Sequence, residues 1–116
     1  MNKERNQSEN FFRKPPYMFN CAQSVIKGFE NELENSESVL EDFSGYAGGR
    51  APKGICGALY AANYIMQKQG LPSITDDFVT KAGAETCKEI KGKFKFPCIE
   101  CVRLADYLVE QRLKNR

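Results

Sequence analysis

Apolar residues three and four apart, cut at intervals by glycine and proline, commit most of this 116-residue chain to helices. Ala22, Val25, Ile26, Phe29 and Leu33 follow that spacing, as do Val39, Leu40 and Phe43. It returns in Ala58, Leu59, Ala61, Ala62, Ile65 and Met66, then in Phe78, Val79, Ala82, Cys87 and Ile90, and last in Val102, Ala105, Leu108, Val109 and Leu113. The alternating pattern of a half-buried strand is weak throughout. The reading is all-α: a single-domain bundle of about five helices, with a glycine-rich loop before the third.

The boundaries carry their own signals. Asn20 is a good cap for the first helix, Gln23 three residues later completes a capping box, and Phe19 is placed for a hydrophobic staple. Ser36 or Ser38 caps a short second helix that breaks at Ser44-Gly45. A third helix covers roughly Ile55 to Gln69, and Gly70 and Pro72 end it. Thr75 caps the fourth, with Asp76 and Asp77 complementing its dipole, and Gly92 stops it. Cys87 would then lie near that helix's C-terminal end, where the dipole disfavours a thiolate unless Lys88, Lys91 or a metal compensates. A loop with two buried phenylalanines, Phe94 and Phe96, leads to the last helix, from about Cys98 to Lys114. Residues 1–16 read as a flexible polar tail ending in Pro15-Pro16, and 17–116 as one helical domain.

The charge is too small to point to a polyanionic partner. Formal net charge is +2, with basic residues scattered among acidic ones. Residues 93–96 alternate lysine and phenylalanine, but a short packed loop explains them better than a nucleic-acid platform. No run approaches the roughly 18 apolar residues of a membrane span, and Met1 to Lys14 lacks the apolar core of a signal peptide. The expected setting is a reducing cytoplasm, without nucleic acid or membrane as partner.

In that setting the five cysteines stand out: Cys21, Cys56, Cys87, Cys98 and Cys101, in a chain with no histidine. The commonest catalytic base and nitrogen ligand are absent, so chemistry here runs through sulfur. Cys98 and Cys101 form a C-x-x-C at a helix start, both sulfurs on one face, where the dipole and free N–H groups favour a thiolate. That arrangement points to redox or metal chemistry; the alternative is that Cys101 packs in the apolar face. Cys21 shares a first-turn position but also fits as a small buried residue. Cys56 follows Gly45, Gly48, Gly49 and Gly54 and precedes Gly57; such glycines admit close backbone approach to a ligand, or simply make a turn and close helix packing. Gly48 to Gly54 lacks the Lys-Ser/Thr ending and the preceding strand of a phosphate loop. Glu100, inside the C-x-x-C, fits a solvated surface better than a proton carrier. An odd cysteine count leaves one thiol free, in a metal site, or available to link a homodimer.

Several segments together resemble the C_GCAxxG_C_C family. Asn20-Cys21-Ala22-Gln23-Ser24-Val25 looks like its N-C-A-Q-x-V start. Cys56-Gly57-Ala58-Leu59-Tyr60-Ala61 looks like its C-G-A-x-x-G motif, and Cys87-Lys88-Glu89-Ile90 and Cys98 resemble its third and fourth cysteines. The match runs from about residue 18 to 113. It implies a small helical bacterial protein with four characteristic cysteines (Cys21, Cys56, Cys87 and Cys98) that is redox-active or holds a prosthetic group such as an iron–sulfur cluster. Ala61 stands where the motif ends in glycine, the stretch from Cys87 to Cys98 is shorter, and Cys101 is additional.

Three functions follow as expectations. In the first, the thiols converge where the N-termini of the first, third and last helices meet. Cys98 is the reactive thiolate, and Cys101, Cys21 or Cys56 resolves the mixed disulfide formed with a redox partner protein or small thiol. In the second, Cys21, Cys56, Cys87 and Cys98 bind zinc or an iron–sulfur cluster through four thiolates, with Gly49, Gly54 and Gly57 lining the cofactor. In the third, the domain is structural and its cysteines are buried.

Overall fold

The computed structural model describes residues 7–15, 18–46 and 51–115, and among them there is no β-strand. Six α-helices form: α1 (Cys21–Gly28), α2 (Ser36–Asp42), α3 (Gly57–Lys68), α4 (Thr75–Ala82), α5 (Cys87–Gly92) and α6 (Cys98–Lys114). The core is a mutual packing of α1, α3 and α6, with α2 laid against α1 and α4 against α6. Ala22, Val25 and Ile26 of α1, Ala58, Leu59, Ala62, Ile65 and Met66 of α3, and Val102, Ala105 and Val109 of α6 are fully buried between them. Small residues on α1 and α3 let those two axes approach closely. A radius of gyration of 12.8 Å fits one domain of this length, for which about 13 Å is usual.

The capping box on α1 is present. Asn20 accepts a bond from the Gln23 N–H at 2.7 Å, and Gln23 Oε1 accepts from the Asn20 N–H at 3.2 Å. The same two side chains reach out of the helix. Asn20 Nδ2 donates to the Ser44 and Phe43 carbonyls, and Gln23 Nε2 to the Leu40 carbonyl. The start of α1 is thereby tied to the end of α2. Phe43, Tyr46, Tyr60 and Tyr64, with ring centroids 5.2 to 5.6 Å apart, seal α2 onto α3. Asn63 caps α4 from α3, accepting from the Ile74 N–H at 2.8 Å and donating to the Thr75 hydroxyl.

Five boundaries differ from the sequence expectation. Helix α1 ends at Gly28, and a 3₁₀ turn over Glu30–Glu32 replaces its expected last turn. Helix α2 is preceded not by a serine cap but by Asn35 in the left-handed region. Helix α3 starts two residues late, at Gly57. Thr75 is the first residue of α4, not its cap. Most consequentially, the expected fourth helix is two. Gly83, at φ +96°, turns the chain out of α4, and a side chain there would collide with the Phe94 ring. Thr86 then accepts from the Glu89 N–H and starts α5. Phe94 itself is 45% exposed and Phe96 half-buried, so the expected pair of buried phenylalanines is not formed.

Part of the expected tail packs against the domain. Ser8–Phe11 forms a 3₁₀ turn against α1 and α6. Ser8 is fully buried, and its N–H and hydroxyl both donate to the buried Asp106 carboxylate, at 2.8 and 2.6 Å. Substituting Asp106→Ala strands both Ser8 donors inside the protein. The expected cost is about 1–3 kcal/mol of unfolding free energy, with amide exchange accelerating over residues 7–12. Urea denaturation and hydrogen exchange check both; an unchanged transition midpoint would contradict the anchoring role.

Candidate functional site

Four helices begin at one place, each with a cysteine. Cys21, Cys87 and Cys98 are the first residues of α1, α5 and α6, Cys56 immediately precedes α3, and Cys101 lies one turn into α6. The placement of Cys87 corrects the expectation of a helix end: its dipole environment is favourable to negative charge, not hostile. All five cysteines are free thiols. All five line a single small cavity, together with Gly57, Ile90 and Lys91.

Backbone contacts bring these ends together. The Cys56 N–H donates to the Glu85 carbonyl at 2.8 Å, and an isolated bridge pairs Ile55 with Thr86. The segment before α3 is thus stitched to the segment before α5, and Cys56 meets Cys87. The Phe96 N–H donates to the Ile90 carbonyl, folding the loop back so that α6 starts beside the end of α5. At Gly57 there is no room for a side chain: a Cβ would collide with the Tyr46 carbonyl and stand 2.8 Å from Cys21 Sγ. The glycine after Cys56 therefore serves close packing, letting Cys21 come up against α3. Gly54 lies in the preceding turn at φ +72° and lines an outer cleft instead. Gly49 falls outside the described residues.

The thiols differ in their hold on protons. Cys56 is pushed down to about 7. The principal cause is the Cys101 thiol, which donates to its sulfur; burial opposes, and the Leu59 and Ala58 amides and the Lys91 charge assist. Cys101 is correspondingly pushed far up, by that same bond and by burial. Cys21 is raised to about 12, chiefly by burial and then by the neighbouring Cys56 and Cys98. Cys87 is raised by burial, with Lys91 opposing. The Lys91 ammonium is held by a hydrogen bond with Cys98, which raises its pKa. Access divides the five along a different line: Cys21, Cys56 and Cys101 are buried, whereas Cys87 and Cys98 are half-exposed.

The arrangement does not suit a metal as it stands. Sulfur donors favour soft ions and clusters, but among the described residues no three Cys, Asp or Glu side chains are placed to hold one ion together. The cavity measures about 10 Å³, about the room of a single water molecule. Zinc or an iron–sulfur cluster would require the thiols to move first.

A scan of protein-family models, a search of curated proteins and a search of solved structures each found no match to this chain. Among the described residues no helix is long and apolar enough to cross a membrane. Glu100 is paired with Arg103 at 2.7 Å on the surface, as its solvated reading requires. Lys91, which the sequence offers only as a counter-charge to Cys87, contacts Cys98 and acts on Cys56 as well.

These proton affinities predict a pH profile. Lowering the Cys56 pKa in the folded state makes stability rise with pH from about 7 towards 9, its ordinary value. The raised Cys21 and Cys101 act oppositely: above their ordinary value of 9.0 the unfolded chain ionises first, and stability falls. Stability of the reduced protein is expected to peak near pH 9. Thiolate absorbance should show one step near neutrality that vanishes in Cys56→Ser and moves upward in Cys101→Ala. A step unaffected by Cys101→Ala would remove the hydrogen bond as its cause.

Proposed function

We propose that this chain carries out thiol–disulfide exchange, with Cys98 as the outer attacking thiol and Cys56 as the resolving thiolate. The observation that carries this reading is that five free thiols line one cavity while a neighbouring S–H holds one of them, Cys56, ready as a thiolate near neutral pH. The half-exposed Cys98, with the Lys91 ammonium against its sulfur, supports its role as first contact. Resemblance to the C_GCAxxG_C_C family points the same way, since its four cysteines are four of the five around the cavity.

The steps balance as follows. Cys98, as thiolate, attacks one sulfur of an external disulfide. A bond forms between Cys98 and that half of the substrate, the substrate S–S bond breaks, and the other half leaves as a thiolate that water protonates. Cys56 then attacks the Cys98 sulfur, forming a Cys56–Cys98 disulfide and releasing the second half. The substrate gains two electrons and becomes two thiols; the chain loses two electrons and holds one disulfide. Attack of Cys101 on Cys56 would move that disulfide inward and return Cys98 to the reduced state.

The test is reaction of the reduced protein with a small disulfide, followed by mass and thiol release. The wild type releases both substrate halves. Cys56→Ser stops at a mixed disulfide on Cys98, and Cys98→Ser slows the first step. Cys101→Ala returns Cys56 towards its ordinary proton affinity. At neutral pH that costs about fiftyfold in thiolate fraction and regains about tenfold in nucleophilicity, so the resolving step slows about fivefold. If all three variants react like the wild type, the assignment fails. Thiols that label only in denaturant would establish a structural role instead. Stoichiometric zinc, or iron with acid-labile sulfide, after anaerobic purification would replace exchange with metal binding.

A further inference from the structure

Beside the sulfur cavity lies a second, much larger opening of about 720 Å³, lined by Lys53, Gly54, Thr86, Cys87, Lys88, Glu89 and Lys91. Cys87 and Lys91 belong to both walls. The outer cleft thus leads onto the thiols, and its volume falls within the range of about 300–1,000 Å³ that small-molecule sites occupy.

Its charge is one-sided. Three ammonium groups face one carboxylate, and Glu89 already accepts from the Thr86 hydroxyl at 3.0 Å. Lys53 and Lys88 are exposed, and neither has an ion-pair partner among the described residues. The whole chain carries only +2, the same as the three lysines and one glutamate of this cleft, so the remainder is formally neutral. Lys53 also holds an unusual backbone. At φ 62° it occupies the left-handed region, which lysine rarely adopts, in the tight turn Pro52–Gly54. Conformations of this kind gather at ligand sites, where surrounding structure maintains them. The turn carries Lys53 on the wall of the cleft that the start of α5 also lines.

Resting on the exchange chemistry proposed above, we infer that the cleft selects the substrate: a small anionic disulfide, carrying carboxylates that Lys53 and Lys88 receive while its sulfurs reach Cys98 past Cys87 and Lys91. A cationic disulfide meets like charge at the same wall, and a large folded protein gains nothing from a pocket of this size.

The experiment compares the rates at which the reduced protein is oxidised by oxidised glutathione, hydroxyethyl disulfide and cystamine, which are anionic, neutral and cationic. Each rate is expressed relative to the same reagent acting on the Lys53→Gln/Lys88→Gln double variant, so that intrinsic leaving-group differences cancel. Removal of the two charges should slow the anionic reagent about tenfold at low salt, leave the neutral one within about twofold and accelerate the cationic one. Near 1 M salt, where the Debye length is only about 3 Å, these differences should shrink to about twofold. Lys68→Gln is the control, since Lys68 ends α3 at the opposite extremity from Cys56 and should change none of the rates. If all three reagents oxidise the protein and the double variant alters none of the rates, the cleft does not select and the inference falls while the exchange reading stands. If no reagent oxidises the wild type, both fall together.

Discussion

The contact between α1 and α3 at Gly57 is the constraint on which the site depends. A carbonyl from the end of the α2 segment and the Cys21 sulfur both occupy space that any side chain at position 57 would take. Because that space is free, the capped start of α1 seats against the start of α3. The Asn20 and Gln23 side chains, already committed to the cap, can then also hold the end of α2. The third wall follows from the strand-like stitch between Cys56 and Glu85, which draws α5 in without a sheet. Four helix ends can share one point only if each is individually capped or tied, since every helix leaves unbonded N–H groups at its start. Cys56 sits at such an end: the Cys101 thiol is the main support of its thiolate, and the first amides of α3 add to it.

Much of this was legible in the chain. The capping box at Asn20 and Gln23, the buried faces of α1, α3 and α6, and the C-x-x-C opening the last helix follow from local spacing, because local physics alone determines them. The misreading of residues 75–92 as one helix is instructive for the same reason. Phe78, Val79, Ala82, Cys87 and Ile90 keep helical spacing across the break, and the periodicity hid it. Yet Thr86 and Glu89 carry the capping-box pattern, and Gly83 stands where a left-handed exit is needed. Those two local signals, and not the periodicity, put Cys87 at the favourable end of a helix. What local signals cannot contain is pairing at long range. Ser8 and Asp106 lie 98 residues apart and neither neighbourhood announces the other. The bond from Cys101 to Cys56, in place of one within the C-x-x-C, likewise arises only when α3 meets α6.

The two openings divide the demands of a thiol site. A reactive sulfur must be reachable, whereas a thiolate hydrogen-bonded by a neighbouring thiol needs shelter from water that would compete for the same proton. Cys87, on both walls, and the half-exposed Cys98 meet the first demand, while Cys56 and Cys101 lie buried and meet the second. Lys91 spans the two, in contact with Cys98 and near enough to favour charge on Cys56.

Five thiols in so small a space also regulate one another. Charge on Cys56 is among the causes that raise Cys21, Cys87 and Cys101, so a thiolate there helps keep those three protonated. Formation of a disulfide at Cys56 removes that charge. It also removes the acceptor that holds the Cys101 proton, the leading cause of its raised affinity. Cys101 therefore becomes easier to ionise once Cys56 has reacted. Under the exchange proposed above, oxidation at Cys56 would thus release the electrostatic restraint on the thiol that donates to it.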